Sequence, residues 1–406
     1  MKTIIISQVF WPDTVSVAQQ LWDFTLHLAE SGHEVLVFSS QYSYEQNPKK
    51  RYQGLEKKLG IEIVRLKHTN FSKKFIIGRV LNMATFNAMI FFKLIGLKKG
   101  ECSLIFGTTS PPLLSYFGLV IARFKKIPYC CWIMDLQPEL AIQSGLIKGN
   151  SYVAAILLSM SRFVLEKSDL IIALDRFMMS YIRQFRSSKI CISPVWSVAY
   201  ERYDGSFQSN PFRIQNKMGE KIVVMYSGNH AYIHPLDTLL NTALKLKDND
   251  DFLFVFVGGG VRKSDVEIFK SNHELDNIMQ IDFQPRGNIH NSLSAANIHV
   301  VIIGDGQVGF THPSKIYGAL DIGRPILYIG PKPSHVDDIL SELPGNISVL
   351  HGQVNILVDK LLEFSNKKFE EVNEICKRNH LYGIKKFNPS ISKRTMHDAI
   401  HSILSN

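Results

Sequence analysis

Along most of this chain, short runs of apolar and β-branched residues alternate with longer stretches whose apolar positions recur at helical spacing. In the first half the spacing predicts strands at Thr3–Ser7, Glu34–Ser39, Ile61–Leu66, Ser103–Gly107, Pro128–Met134, Leu170–Leu174 and Lys189–Ser193. Helices are predicted between them at Val17–Ser31, Pro112–Lys125, Ser151–Lys167 and Asp175–Gln184. Residues 194–219 break the pattern; they are polar and turn-rich. The alternation then resumes with strands at Lys221–Ser227, Phe252–Val257, Asn277–Asp282, Ile298–Ile303 and Pro325–Ile329. Near-continuous apolar strands joined by helices signal a parallel sheet covered on both faces. The chain therefore reads as two successive doubly wound α/β domains, with ligands expected beyond the carboxyl ends of the strands in a central cleft.

Composition changes this picture little. A length of 406 residues suits two domains, and 45% hydrophobic with 20% charged residues is a globular composition. The amino-terminal residues lack the apolar core and cleavage site of a signal peptide. The five cysteines show no CxxC spacing, so reduced buried thiols are expected, and with them a cytoplasmic protein.

Charge is more informative. The net charge is +10, and residues 1–197 carry 24 Lys and Arg against 13 Asp and Glu. Residues 198–406 carry 22 against 23. The basic excess of one half suits nucleic acid, anionic lipid or a phosphorylated substrate, or is a solvated surface. Residues 71–100 contain Lys73, Lys74, Arg79, Lys93, Lys98 and Lys99 and no acidic residue. The uncharged run Val80–Phe92 is too short to cross a bilayer. It reads either as a basic amphipathic helix lying in a membrane interface or as a core helix with a basic rim.

Three stretches carry candidate chemistry. Gly258, Gly259 and Gly260 follow a strand and precede Arg262, which suits either phosphate approach by backbone N–H groups or a plain tight turn. Pro313-Ser314-Lys315 opens a helix for which Ser314 is a suitable N-cap; that terminus and the Lys315 charge suit either a bound anion or an ordinary capped helix with an exposed lysine. Asp135 and Glu139 stand at a strand end, where they address hydroxyls or cap a turn. Asp248-Asn249-Asp250 formally reads DxD but lies in a polar turn, so no metal is assigned to it. The histidines show no HExxH, and the GxSxG and kinase patterns are missing.

In order, Ser7–Asp13, Leu28–Val35, Thr109–Pro112, Trp132–Glu139, Tyr226–Asn229 through Asp237-Thr238-Leu239, the Gly258 loop, Gln284-Pro285-Arg286 and Pro313–Lys315 through Gly323-Arg324-Pro325 resemble the family 4 glycosyltransferases. Within that family the chain is most similar to bacterial O-antigen, colanic-acid and exopolysaccharide enzymes, including N-acetylfucosamine transferases. The resemblance implies a GT-B fold of two Rossmann-like domains. Residues 1–197 would bind a lipid-linked (undecaprenyl-diphosphate) saccharide acceptor, 198–219 form a linker, 220–388 bind a nucleotide sugar, and 389–406 cross back as a helix. It implies retaining transfer without a metal or other cofactor, from a UDP-linked donor, at the cytoplasmic face of the inner membrane, with no nucleic-acid partner. Asp135, Lys315 and Glu139 would be catalytic. Gly228, Asn229, His234, Gly258, Gly259, Arg262, Arg286, Pro313, Ser314, Lys315 and Tyr317 would bind the donor. Pro12, Asp13, Lys73, Lys74, Arg79 and Lys93 would meet acceptor or membrane. The chain departs from the family at Asn229 and His234, which stand where an Arg and a Lys commonly hold the diphosphate. Phe310 and Gly318 stand at the two E-x7-E glutamates, and Met134 falls near the usual catalytic-region His. Rival readings are a nucleotide-sugar 2-epimerase on the same fold and a non-catalytic membrane or nucleic-acid binding protein.

Overall fold

The computed structural model describes residues 1–44, 51–72, 75–186, 189–197 and 207–405. The chain divides into two compact units. The first comprises Met1–Val195, Gly309–His312 and Pro389–Asn406; the second comprises Trp196–Val308 and Pro313–Asn388.

The first unit is built on eight strands: β1 (Lys2–Ile6), β2 (Glu34–Ser40), β3 (Leu55–Lys58), β4 (Ile61–Leu66), β5 (Leu104–Thr108), β6 (Tyr129–Trp132), β7 (Leu170–Ala173) and β8 (Ile190–Ile192). Their order is β3-β4-β2-β1-β5-β6-β7-β8. All neighbours are parallel except β3, which runs antiparallel to β4 at the edge. Ile4 pairs with Leu36 on one side and Ile105 on the other, and Ile4, Ile5 and Ile6 are fully buried. A strand covered on both faces leaves no room for polar alternation, hence the unbroken apolar run.

The second unit has six strands, all parallel: β9 (Ile222–Ser227), β10 (Phe252–Val257), β11 (Ile278–Ile281), β12 (Ile298–Ile302), β13 (Ile326–Ile329) and β14 (Ile347–Val349). Their order is β11-β10-β9-β12-β13-β14. Alternate residues of β10 point to opposite faces, as pleating requires. Phe252, Phe254 and Phe256 join one core, and Leu253, Val255 and Val257 join another.

The turn-rich stretch read as a linker holds a helix in its described part. Pro211–Gln215 is helical, capped by Asn210, whose Oδ1 accepts from the N–H groups of Phe212 and Arg213. Phe212 packs into the second unit's core. The Arg213 guanidinium, buried and pushed down to about 10 by desolvation, donates to the Ala295 carbonyl and the Asn297 side chain. This segment is therefore part of the second unit, covering one face of its sheet.

The helix Ile76–Ile95 is two-faced. Phe86, Ile90 and Leu94, spaced by four, are fully buried. Ile77, Val80, Leu81, Phe92 and Ile95 are exposed, and so are Arg79 and Lys93. Among the described residues no helix is long and apolar enough to cross a membrane. Lys73 and Lys74 lie outside the described residues. All five cysteines are free, and all but Cys191 are buried.

Candidate active site

In a doubly wound sheet, ligands gather where the strand order reverses. In the second unit that point lies between β9 and β12, and the segments following those two strands meet there. Gly228 follows β9 with φ +128°, and a Cβ on it would lie 2.6 Å from Lys315 Cε. Lys315 is the first residue of the helix Lys315–Ile322. Its ammonium lies 3.0 Å from the Tyr226 hydroxyl and 4.6 Å from the centre of that ring. Among the described residues it pairs with no carboxylate, and burial pushes it down to about 7.

The Tyr226 hydroxyl is a hub. It lies 2.9 Å from His234 Nδ1 and 3.0 Å from the Asn229 carbonyl oxygen. Burial holds His234 well below the ordinary imidazole range and brings His230 to about 4. His230 Nδ1 is 3.2 Å from the Gly259 carbonyl, and its buried Nε2 has no hydrogen-bond partner. Both imidazoles are neutral, Arg262 is paired with carboxylates, and Lys315 has no carboxylate partner among the described residues, so its charge when protonated is unspent.

Other donor candidates are placed differently. The Gly258 loop is used for packing: Gly258 N–H donates to the Ile281 carbonyl, and a Cβ there would lie 2.2 Å from the Gly228 oxygen. Arg262 is engaged by Asp265 at 2.8 Å and Asp237 at 3.4 Å, which neutralise it. Tyr317 is buried, with its hydroxyl 2.8 Å from His335 Nε2 and its ring against Phe387, so it faces the core. Ser314 stands at the N-cap position, yet its side chain makes no capping bond; its backbone is already helical there. Pro313 is buried, Asn229 is exposed, and the Arg286 side chain lies outside the described set.

The first unit carries a separate polar cluster. Asp135 follows β6, and its Oδ1 accepts from the Thr311 hydroxyl at 2.8 Å. Burial raises this carboxyl above the usual range, against the pull of Thr311 and His312. A cavity of about 40 Å³ lies alongside, lined by Thr109, Ser115, Cys131, Asp135 and Ser161 among others. His312 Nδ1 meets Asp175 Oδ2 at 2.7 Å, both side chains being almost wholly buried. Asp175 Oδ1 also caps the helix Arg176–Ile182 through the Phe177 and Met178 N–H groups. Glu139 is buried; one oxygen accepts from Ser161 and Tyr181, while the other is buried without a partner.

Asp13 is a structural anchor rather than an open acceptor contact. Its Oδ1 accepts from Ser43, the Tyr44 N–H and Tyr52, and burial raises its carboxyl. Its neighbour Pro12 is partly buried. Neither Tyr226 nor His312 is marked out by its local sequence, since their partners are 89 and 137 residues away.

The two mainly parallel sheets, with these loops at their carboxyl ends, define a GT-B fold built from Rossmann-like units. No family model matches the sequence. Among curated proteins, a probable glycosyltransferase of Pseudomonas aeruginosa, WbjE, is 21% identical over 260 residues, which is 63% of this chain and 64% of that protein. Among solved structures, HepE of Anabaena in complex with UDP-glucose has a TM-score of 0.73 at 12% identity, covering 99% of this chain and all of that one. Sucrose-phosphate synthase from Thermosynechococcus elongatus has a TM-score of 0.76 at 14% identity over 100% of this chain and 99% of its own. WaaG, a glycosyltransferase involved in lipopolysaccharide biosynthesis, has a TM-score of 0.70 at 12% identity, covering 97% of this chain and 98% of its own.

Proposed function

We propose that this chain is a retaining, metal-independent glycosyltransferase of bacterial surface-polysaccharide synthesis. It moves a sugar from a nucleotide donor, UDP-linked in our reading, to an undecaprenyl-diphosphate-linked saccharide. The observation that carries the reading is Lys315: an ammonium with no carboxylate partner among the described residues, at a helix start where the strand order reverses. A diphosphate is the ligand that such a charge best complements. The similarity to WbjE and to HepE bound to UDP-glucose supports the same donor class.

In this mechanism the bond between the anomeric carbon and the diphosphate oxygen breaks first. Lys315 stabilises the negative charge that develops on the leaving group. The acceptor hydroxyl attacks from the departing face and gives its proton to a phosphate oxygen. Asp135 orients the sugar or the acceptor. Glu139, held by Ser161 and Tyr181, positions the strand end that carries Asp135. The exposed apolar and basic face of Ile76–Ile95 would seat the enzyme on the cytoplasmic surface of the inner membrane, where its acceptor resides. Within the family we favour the N-acetylfucosamine transferase subgroup.

The test is binding and turnover. Thermal stability is followed against UDP-, GDP- and dTDP-sugars, then the product is analysed with a lipid-linked acceptor. A shift with one nucleotide family and a glycosylated lipid support the reading. A donor converted without acceptor into an epimeric sugar, rather than hydrolysed, would instead identify an epimerase.

A further inference from the structure

Three imidazoles far apart in sequence converge in the first unit. His33 lies in the turn before β2, and His397 and His401 are one helical turn apart on the helix Pro389–Leu404. His33 Nε2 is 3.2 Å from His397 Nε2, and His397 Nε2 is 3.2 Å from His401 Nε2. All three residues offer a ring nitrogen within 4.8 Å of the others. We propose that His33, His397 and His401 form a binding site for a divalent transition metal of the zinc class, which fastens the helix Pro389–Leu404 to the amino-terminal ends of β1 and β2 in the first unit.

The spacing suits such an ion. Zinc binds imidazole nitrogen at about 2.0–2.1 Å, so two ligands of a tetrahedral site lie about 3.3 Å apart. His33 has the support expected of a ligand: its Nδ1 is 3.1 Å from the hydroxyl of fully buried Thr3. With Nδ1–H donating to that hydroxyl, the Nε2 lone pair faces the cluster, the arrangement that fixes a ligating histidine's tautomer. His27, in the last turn of the helix Ser16–Glu30, adds a second observation. Its Nε2 is buried with no hydrogen-bond partner, and its ring stands edge-on to His397 with centroids 5.5 Å apart. His401 is exposed and gives the ion a way in, while His33 is buried. A set of imidazoles without carboxylates or thiolates favours zinc, cobalt or nickel over magnesium or calcium.

The three histidines all belong to the first unit, and the test of their site does not depend on sugar transfer. The untagged full-length chain is stripped with chelator and titrated with Zn²⁺ by calorimetry and with Co²⁺ by visible absorption. One equivalent per chain, a tetrahedral Co²⁺ spectrum and a Tm that rises until one equivalent is bound are expected. His397→Ala and His401→Ala should each weaken binding at least tenfold, while His273→Ala, exposed on the second unit, should leave it unchanged. Since His401 is exposed, His401→Ala tests the site in a folded protein, which circular dichroism verifies. No saturable binding, or binding that both histidine variants leave intact, would overturn the proposal.

Discussion

The Lys315 ammonium sits 3.0 Å from the Tyr226 hydroxyl, and the two residues come from segments that follow and end different strands of one sheet. A half-buried cation held by a hydroxyl and an aromatic face, with no carboxylate, is costly unless a ligand uses it. Removing it should therefore injure function far more than folding. Lys315→Ala should lose about 2–4 kcal/mol of transition-state stabilisation, roughly 30- to 900-fold in kcat/KM. Steady-state kinetics with the donor identified by thermal shift checks this; wild-type turnover in the variant would remove Lys315 from the mechanism.

The same lysine predicts a pH dependence. In the free protein its amine loses a proton near 7, well below the ordinary value, because burial disfavours the charge. A bound diphosphate restores the charge, so donor affinity should fall as pH rises above about 7, by up to about tenfold per unit. For folding the sign is opposite. Burial's cost is complete below about 7 and is relieved as pH climbs toward the unfolded value of about 10.4. Calorimetric donor binding at several pH values, repeated on Lys315→Ala, should give a slope that the variant lacks.

Gly228 and Gly258 should tolerate a methyl group unequally. Both have φ near +127°, so alanine strains either backbone by more than about 1 kcal/mol. At Gly228 the added carbon meets the flexible Lys315 side chain at 2.6 Å, whereas at Gly258 it meets the Gly228 carbonyl at 2.2 Å. Gly258→Ala should therefore show the larger fall in Tm. Gly228→Ala should displace the lysine and lose donor affinity beyond what its smaller Tm change explains.

Asp175 serves a helix and a histidine at once. Asp175→Ala removes a cap worth about 0.5–2 kcal/mol and deprives buried His312 of its carboxylate, for a total of about 2–4 kcal/mol. Asp175→Asn keeps a good cap and should retain the larger part of the stability. Denaturant unfolding of the two variants separates these contributions; equal losses would mean that the cap adds little.

Binding to vesicles should follow the exposed face of Ile76–Ile95. Ile77 and Phe92 are 74% and 66% exposed, with Arg79 and Lys93 on the same helix. Replacing both basic residues by alanine should cost about 1 kcal/mol each on anionic vesicles, roughly thirtyfold together. Ile77→Glu should weaken binding even to neutral lipid. Sedimentation that neither change affects would assign this face another role.

Strands buried on both faces were legible because their composition is extreme: Phe252–Val257 has no polar residue at all. The edges were not. Leu55–Lys58 has one apolar residue in four, and Ile347–Val349 is only three residues long, too short for any periodicity. The helix Pro211–Gln215 did carry a signal, Asn210 followed by Pro211, which is an N-cap before a first-turn proline. It was masked by the polar residues around it. In the site, Lys315 was legible from its place near a helix start, but its contact with Tyr226 is a product of strand order. The three converging histidines show the limit most plainly. His397 and His401 share a spacing that many solvated helices have, and His33 is 364 residues away from the first of them.

The first unit is gathered from three stretches of chain, the last of which begins at Pro389. A ribosome reaches that stretch only after making the whole second unit. Met396 and Ile400, fully buried in the finished first unit, therefore arrive when every strand of both sheets has already been synthesised. Until then the surface they cover on the nascent protein stays wet, so the unit started first is the one completed last.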